Sequence, residues 1–423
     1  MYLLKGNIHS FEWGSTELLA GVMGRPSPTP EREAEAWFGA HPGGPSEILA
    51  GPAGAGSGLP HDLAEAISQD PAGQLGPDLA ELPFLVKLLA ADKALSIQAH
   101  PSKAQAEAGF AAENAAGLPA GDPTRNYQDK NHKPELLVAL TEFHALAGFR
   151  PVAQTVELLR ELDVPELAPQ CEALAATLPG TEGSAARVTE SAALREVLGE
   201  WLSLSPGDAE KRVAALLQRC EPLCGEPGVL GEAARTVVEL QRDYPSDPGI
   251  LVALLLNRVS LRPGEAVFLA AGQLHAYLKG MGVEVMANSN NVLRGGLTAK
   301  HMDVAELLNI LDASPLAEPR CEVFADGDRA TAEYRTSVAD FRVRTLRPGA
   351  SMVVEEPAVV LAAGGELTVT SATQELPVAS GSAVWVGAAD GRVSVTARGE
   401  GTRESEFDAT GFIVTVGDAA ALD

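Results

Sequence analysis

Hydrophobic spacing changes twice along the chain, and the first 150 residues mix two patterns. Short apolar runs typical of strands alternate there with segments in which apolar residues recur at helical spacing. The patterns predict short helices at 31–39 (EREAEAWFG) and 61–68 (HDLAEAIS), and strands in PFLVKLLA and ALSIQAH, which end at residues 90 and 100. The Gly- and Pro-rich segment 42–60 is predicted to be loop.

A helical block follows, and then the strand pattern returns. Segments such as VAQTVELLREL and AEKRVAALLQRC keep apolar residues at helical spacing throughout 151–247. Beyond this block the chain is predicted to be β, apart from a helix at 304–311, and short strands separated by Gly-containing turns fill the C-terminal 100 residues or so. We therefore predict one domain from 1–150 and 248–315, a helical domain at 151–247, and a β sandwich or barrel at 316–423.

Two stretches of the β regions resemble each other. PGEAVFLAAGQLHAY and SGSAVWVGAADGRVSV align with Gly264 opposite Gly381 and Val267 opposite Val384. The shared pattern is a turn that leads into a hydrophobic strand, which indicates two related β units. His275 of the first stretch falls opposite Arg392 of the second, so only the first unit retains a possible metal ligand there.

Composition excludes several classes of protein. The net charge of −25 argues against nucleic acid as a partner, although a few local cations can still hold a small phosphorylated ligand. The longest apolar run, at 250–256, is too short to span a membrane, and the N-terminus does not resemble a secretion signal, so we expect a cytoplasmic protein. The four cysteines do not complete a zinc knot and are expected to be free thiols.

Three short motifs offer side chains that can bind a metal. In SIQAHPSK, Gln98 and His100 would share one face of a strand; NHKPE supplies Glu135 and GQLHAY supplies His275. Taken singly, these motifs also fit a hydrogen-bonded strand end, a Pro-fixed loop with a Lys133–Glu135 pair, and a core histidine. Together their nitrogen and oxygen ligands suit zinc or a similar divalent ion, with an open position that is typical of catalytic metals.

The segments QAHPSK, DKNHKPE, GQLHAYL and GVEVMANSNNVLRGGLTAKH together resemble the type I mannose-6-phosphate isomerase (phosphomannose isomerase) family. The resemblance extends over residues 1 to about 311. It implies a mostly β fold with α elements: a metal-binding cupin (jelly-roll) barrel with an inserted helical domain, and a degenerate second cupin. It also implies interconversion of mannose 6-phosphate and fructose 6-phosphate with one Zn²⁺, whose ligands would be Gln98, His100, Glu135 and His275.

The resemblance further implies roles for the remaining polar residues of these motifs. Arg294 corresponds to the catalytic arginine of the family. An enediol or enediolate intermediate needs a fixed positive field, which the metal and this arginine would supply, and a base for which we consider Lys133, Glu284 and His132. The residues expected to bind the substrate or its phosphate are Lys87, Ser96, Ser102, Lys103 and Tyr277.

Two positions depart from the family pattern, and they leave other functions open. Asn290 replaces the usual aspartate, and Thr298-Ala299-Lys300 replaces the usual TPK. We expect the second change to affect the stiffness of the loop. The first leaves a non-catalytic sugar-phosphate-binding cupin as an alternative, and a metal cupin oxygenase is another. We expect a phosphorylated sugar as the partner, no nucleic acid or membrane, and a monomer or weak homodimer.

Overall fold

The structure is a computed structural model that describes residues 1–52, 58–178, 184–325, 330–399 and 410–417. Both strands and helices occur among these residues. The helices are α1 Leu18–Val22, α2 Leu63–Gln69, α3 Pro71–Leu75, α4 Lys103–Ala115, α5 Val152–Leu162, α6 Ala168–Ala175, α7 Ser184–Leu202, α8 Pro206–Cys220, α9 Gly228–Asp243, α10 Gly249–Val252 and α11 Val304–Ile310, with short 3₁₀ turns at Pro165–Leu167, Glu221–Leu223, Ala253–Leu255 and Ala388–Asp390.

The strands follow the predicted division of the chain, because they lie on both sides of the helical block. They are β1 Tyr2–Lys5, β2 Asn7–His9, β3 Glu35–Phe38, β4 Glu47–Ala50, β5 Phe84–Ala91, β6 Gln98–Ala99, β7 Glu135–Ala139, β8 Phe143–Phe149, β9 Leu256–Leu261, β10 Ala266–Leu269, β11 His275–Ala287, β12 Leu293–Arg294, β13 Val323–Ala325, β14 Thr331–Tyr334, β15 Arg342–Leu346, β16 Ser351–Val354, β17 Ala358–Ala363, β18 Leu367–Thr370, β19 Glu375–Val378, β20 Ser382–Val386, β21 Val393–Ala397 and β22 Thr410–Thr415.

The strands form three sheets. One has the order β10-β7-β11-β5-β3-β2, with β6, β8, β9 and β12 attached near the first half of β11. A second has the order β13-β14-β15-β22-β17-β20-β1-β4, and a third has the order β16-β21-β18-β19. Within the described ranges no sheet closes on itself, so the predicted barrels are built as facing sheets.

Hydrophobic cores join these layers. One core contains side chains of β3, β5 and β11 together with side chains of β17, β20 and β22, so the first two sheets pack against each other. A further core lies between the second and third sheets, and another fills the helical block. The second sheet crosses the predicted domain boundary, because β1 and β4 pair beside β20. The domain limits themselves stay a prediction.

The long strand β11 organises the site. Its first residues pair with β6 and β8, and its later residues pair with β5 and β7, so one strand joins all the segments that carry the metal-binding motifs. Strand β5 is buried on both faces. Alternation along it directs Val86 and Leu88 to the core between the sheets and Lys87 and Leu89 to the opposite face, where they line a cavity.

Most of the local predictions are confirmed. Strand β5, helix α2, the helices of 151–247, helix α11 and the short C-terminal strands lie where the patterns placed them. Both halves of the proposed internal repeat are strands, β10 and β20, that follow a glycine with positive φ, Gly264 and Gly381. In ALSIQAH only Gln98–Ala99 is strand. Segment 42–60 contains the short strand β4, and residues 53–57 lie outside the described ranges.

The helix predicted at 31–39 is wrong. This segment forms β3, which pairs with β2 on one side and β5 on the other. Its Glu and Ala residues favour helix, but intrinsic propensity is small in energy, and pairing with two hydrogen-bonded neighbours outweighs it. The correction matters for the site, because the strand brings Glu35 beside Lys87.

Candidate active site

Three buried side chains that could bind a metal converge at the start of β11. The ligand atoms of His100, Glu135 and His275 all lie within 4.8 Å of one another, and each residue is only 1% exposed. The three come from the end of β6, the start of β7 and the start of β11. The structure thus brings together the three motifs that sequence reasoning combined.

The hydrogen bonds of the two histidines fix which ring nitrogen faces the cluster. His100 Nδ1 lies 2.7 Å from the carbonyl oxygen of Asn291, and His275 Nδ1 lies 3.0 Å from that of Gln273. A carbonyl only accepts, so both Nδ1 atoms carry a hydrogen and both Nε2 atoms face the cluster. Burial, aided by Lys133, lowers the pKa of His100 to about 4, so this ring is neutral near pH 7.

These Nε2 atoms face the oxygens of Glu135. The Nε2 atoms of His100 and His275 lie 3.3 and 3.4 Å from the two carboxylate oxygens, and His100 Nε2 is buried with no hydrogen-bond partner. Ligands about 2.0–2.2 Å from a tetrahedral zinc-type ion would lie about 3.3–3.5 Å from one another. The residues present therefore fit a divalent cation.

Gln98 completes the set from the neighbouring strand. It is paired with His275 on β11 and with Arg294 on β12, so the three side chains form a row on one face. The amide nitrogen of Gln98 lies 3.4 Å from His275 Nε2, and a half-turn of the amide would place its oxygen there as a fourth ligand. The predicted ligand set is thus assembled next to Arg294.

A buried network of charges lies beside the cluster. Lys133 Nζ is 2.8 Å from Glu135 Oε1, and Lys87 Nζ is 2.8 Å from Glu284 Oε2 and 3.5 Å from Glu35 Oε1. Burial opposes the charge of Glu135, but the ammonium group of Lys133 outweighs it and holds the pKa of this carboxyl well below its usual range. The metal-facing carboxylate is therefore ionised at neutral pH.

Glu284 behaves differently from Glu135. Burial, together with the nearby carboxylates Glu135 and Glu35, raises the pKa of Glu284 despite the attraction of Lys87. Burial alone would lower the pKa of Lys87, but Glu284 and Glu35 raise it, so the ammonium stays charged. Three carboxylates face two ammonium groups here, which makes Glu284 the carboxyl most able to exchange a proton.

All of these groups open into one cavity of about 450 Å³, a size that suits a small metabolite. Of the predicted residues, the cavity is lined by Lys87, Ser96, Gln98, Lys133, Glu135, Tyr277, Glu284 and Arg294. Tyr277 donates to Glu135 Oε2 at 3.3 Å, so it also steadies the metal-facing carboxylate. Asp243 and Tyr244 of the helical block form part of the wall.

Two cations in the wall of the cavity are not neutralised by a carboxylate. In the described part of the chain no ion pair engages Arg294 or Lys300; burial lowers the pKa of both, and for Lys300 the charge of Arg294 contributes. Both line the cavity. Sequence reasoning considered Lys300 only in terms of loop stiffness, and nothing in the TAK motif itself indicated that the lysine faces the site.

Three predicted residues, Ser102, Lys103 and His132, belong neither to the metal-binding cluster nor to the lining of the cavity. Ser102 caps α4, where its hydroxyl accepts from Gln105 N, and the exposed Lys103 donates to Asn131 at 3.0 Å. His132 contacts Asp340 of the second sheet region at 2.9 Å. The strand that Pro101 ends is therefore followed by a helix cap and not by a phosphate-binding turn.

The asparagine that replaces an aspartate also lies outside the site. The side chain of Asn290 is exposed, and its backbone N–H donates to Asp129 Oδ2 at 2.8 Å. The neighbouring Asn291 is fully buried and bonds the 128–131 turn with both ends of its amide. The hydrogen bonds between Asp129 and Asn291 support His100. Asn290 contributes only its backbone N–H to them, so the position of Asn290 does not support the idea that the loss of the usual aspartate weakens the site.

Comparisons with known proteins match this chain over nearly its whole length. A family model described as phosphomannose isomerase type I, catalytic domain, matches residues 1–152. Mannose-6-phosphate isomerase of Escherichia coli K12 is 34% identical over 408 residues, which cover 94% of this chain and 98% of that protein. The rat mannose-6-phosphate isomerase is 34% identical, with 84% of each chain covered.

Solved structures agree with the sequence relatives. A variant of phosphomannose isomerase from Salmonella typhimurium has a TM-score of 0.84 at 32% identity, and the match covers 99% of this chain and 100% of that chain. A mannose 6-phosphate isomerase bound with zinc and yttrium matches with a TM-score of 0.82 at 32% identity and the same coverage. Among the described residues, no helix is long and apolar enough to cross a membrane.

Proposed function

Since the chain belongs to the type I mannose-6-phosphate isomerase family and is an isomerase, we propose that it interconverts mannose 6-phosphate and fructose 6-phosphate with one bound zinc ion. The observation that carries this proposal is the buried cluster of two imidazoles and a carboxylate beside Arg294. Its donors match a zinc site, and its cavity holds the cations that a phosphorylated sugar requires.

The zinc ion would be held by Gln98, His100, Glu135 and His275. When bound, it supplies a Lewis acid that polarises a sugar carbonyl and stabilises negative charge on oxygen. Lys133 contributes a second positive charge 2.8 Å from Glu135, and Arg294 contributes a third on the neighbouring strand. These fixed charges suit an intermediate in which oxygen becomes negative.

Glu284 is our proposed base. In the open-chain aldose it removes the proton from C2, the electron pair forms a C1–C2 double bond, and the carbonyl oxygen at C1 becomes the oxygen of an enediolate. The same carboxyl then returns that proton to C1, and the hydroxyl proton of the C2 oxygen passes to the C1 oxygen, so that C1 becomes CH₂OH and C2 becomes the carbonyl of the ketose. A carboxyl with a raised pKa suits this exchange near neutral pH, and Lys87 fixes its orientation at 2.8 Å.

We place the phosphate at Arg294 and Lys300. Both line the cavity together with Ser96, and no carboxylate among the described residues forms an ion pair with either cation. Arg294 also pairs with Gln98 beside the metal-binding side chains, so it contributes to the field at both places. A substrate bound this way spans from the metal-facing side chains to Lys300.

The test is a coupled assay for fructose 6-phosphate production from mannose 6-phosphate, run on the zinc-loaded protein, on protein treated with a chelator, and after zinc is restored. We expect turnover, its loss and its recovery. A zinc-loaded sample that shows neither turnover nor exchange of the C2 proton with solvent would refute the proposal and favour a binding protein. Oxygen consumption by an iron-containing sample would instead favour an oxygenase.

A further inference from the structure

The last residues of the helical block hold the loop that carries Lys300. Asp247 lies between α9 and α10, and its Oδ1 accepts from the backbone N–H of Gly249 at 2.7 Å and of Leu297 at 2.9 Å. Its Oδ2 accepts from the backbone N–H of Thr298 at 3.2 Å. One carboxylate therefore bonds two successive peptide groups of a loop that is 50 residues away in sequence.

The loop adopts a conformation that needs such support. Leu297 has φ of +53°, a left-handed value that costs about 1 kcal/mol or more for a residue with a side chain. Two glycines allow the segments to meet: a Cβ on Gly296 would lie 2.5 Å from Gly249 Cα, and one on Gly249 would lie 2.8 Å from Leu297 N. The carboxylate and the close approach of the backbones thus impose the bend.

The same bend leads directly to the proposed phosphate-binding part of the cavity. The Thr298 hydroxyl accepts from the backbone N–H of Lys300 at 3.0 Å, so support passes from Asp247 through Thr298 to Lys300. Arg294 is held separately, because it pairs with Gln98 on β6. Next to it, the Gly295 N–H donates to the Ile97 carbonyl and the Ile97 N–H donates to the Gly296 carbonyl. Loss of Asp247 would therefore disturb Lys300 more than Arg294.

We infer that Asp247 is a positioning residue for phosphate recognition, through which the helical domain sets the place of Lys300 in the cavity. The inference rests on the proposed function, since it assigns Lys300 to the phosphate.

A double-mutant cycle on the zinc-loaded enzyme tests this inference. In Asp247→Asn the amide keeps one oxygen for Gly249 and Leu297 but turns a donor toward Thr298 N–H, so the bond to Thr298 is lost. We expect KM for mannose 6-phosphate and Ki for inorganic phosphate to rise about five- to tenfold, with kcat within about twofold, in line with the net loss of one hydrogen bond. Lys300→Ala should raise both constants by at least as much.

The decisive measurement is the double variant. If Asp247 acts through Lys300, adding Asp247→Asn to Lys300→Ala changes KM by less than about twofold, because neighbours that share one interaction are not additive. A double variant in which the two effects multiply would overturn the inference. Thr298→Val offers an independent route: it should raise Ki for inorganic phosphate, and an unchanged Ki would break the proposed link even if Asp247→Asn fails to fold.

Asp62→Asn is the matched control, because Asp62 also accepts a backbone N–H, that of Glu65 at 2.9 Å, at a helix start outside the cavity. It should lower the melting temperature without changing KM or Ki. The readouts also separate the two proposals. Absence of turnover in the parent refutes the isomerase, whereas equal inorganic phosphate binding by the parent and Asp247→Asn refutes the positioning role alone.

Discussion

Replacement of Asn291 by alanine should damage both the fold and the metal site. Asn291 is fully buried, and its amide oxygen accepts from Gln128 N at 2.7 Å and from Asp129 N at 3.2 Å. Its amide nitrogen donates to the carbonyls of Asp129 and Asn131 at 2.9 and 2.8 Å. The alanine variant would leave all four backbone groups without their partner.

The magnitude follows from those four bonds. A hydrogen bond contributes about 0.5–1.5 kcal/mol net, and water that enters the vacated space would satisfy some of the exposed groups, so we expect a loss of about 3 kcal/mol. For an unfolding unit of 423 residues that corresponds to a melting temperature lower by about 3–4 °C. Because the carbonyl of Asn291 orients His100 at 2.7 Å, zinc affinity should also fall about 10- to 100-fold.

The assays are thermal unfolding of the zinc-free and zinc-loaded proteins and a competition titration of zinc against a chelator. Asn290→Ala is the control, since this adjacent side chain is exposed and only its backbone bonds Asp129. Its effect should stay within about 0.5 kcal/mol, with zinc affinity unchanged. The reasoning is refuted if Asn290→Ala costs as much as Asn291→Ala, or if Asn291→Ala leaves zinc affinity intact.

Three further outcomes test the proposed chemistry. His275→Ala should lose zinc binding, measured by metal analysis after dialysis, and turnover with it; retained activity would remove His275 from the site. In the parent, kcat should rise with pH through the raised pKa of Glu284, because a base acts in its ionised form. Glu284→Gln should lower kcat by at least about 100-fold and abolish this rise with pH. If the variant keeps the rise, the titrating group is another residue. Lys300→Ala should raise KM about tenfold or more, whereas Lys103→Ala should not change it, because Lys103 lies outside the cavity; the reverse order would place the phosphate elsewhere.

The elements that could be predicted from the sequence are those whose pattern and packing agree. Strand β5 is an unbroken apolar run with one lysine, and the helical block has regular helical spacing, so both were placed correctly. Strand β3 could not be placed from its own residues, because its pairing with β2 and β5 decides its structure. The error concealed Glu35, which is a partner of Lys87.

The candidate site also has one part that could be predicted from the sequence and one part that could not. The candidate metal-binding side chains occur in short motifs, and their residue types alone indicate metal binding. What the structure adds is that these side chains lie close together. The residues proposed to bind the phosphate are harder to predict, because they depend on which cation a loop directs into the cavity. Ser102 and Lys103 follow the ligand His100 directly, yet the chain enters α4 there, whereas Lys300 reaches the cavity through a left-handed bend at Leu297. Such a bend at a leucine has no sequence signal, because the residue rarely adopts it.

The net charge of the chain makes the unpaired cations Arg294 and Lys300 important for binding a phosphorylated sugar. A net charge of −25 repels a phosphorylated sugar at long range, although salt screens charges beyond about 8 Å at physiological ionic strength. Attraction must therefore come from cations within the cavity, where screening is weaker. Lys87 and Lys133 are bound to carboxylates and cannot supply it without losing a partner. Arg294 and Lys300, which no described carboxylate neutralises, keep their full charge for the ligand, and the support from Asp247 holds one of them in place for it.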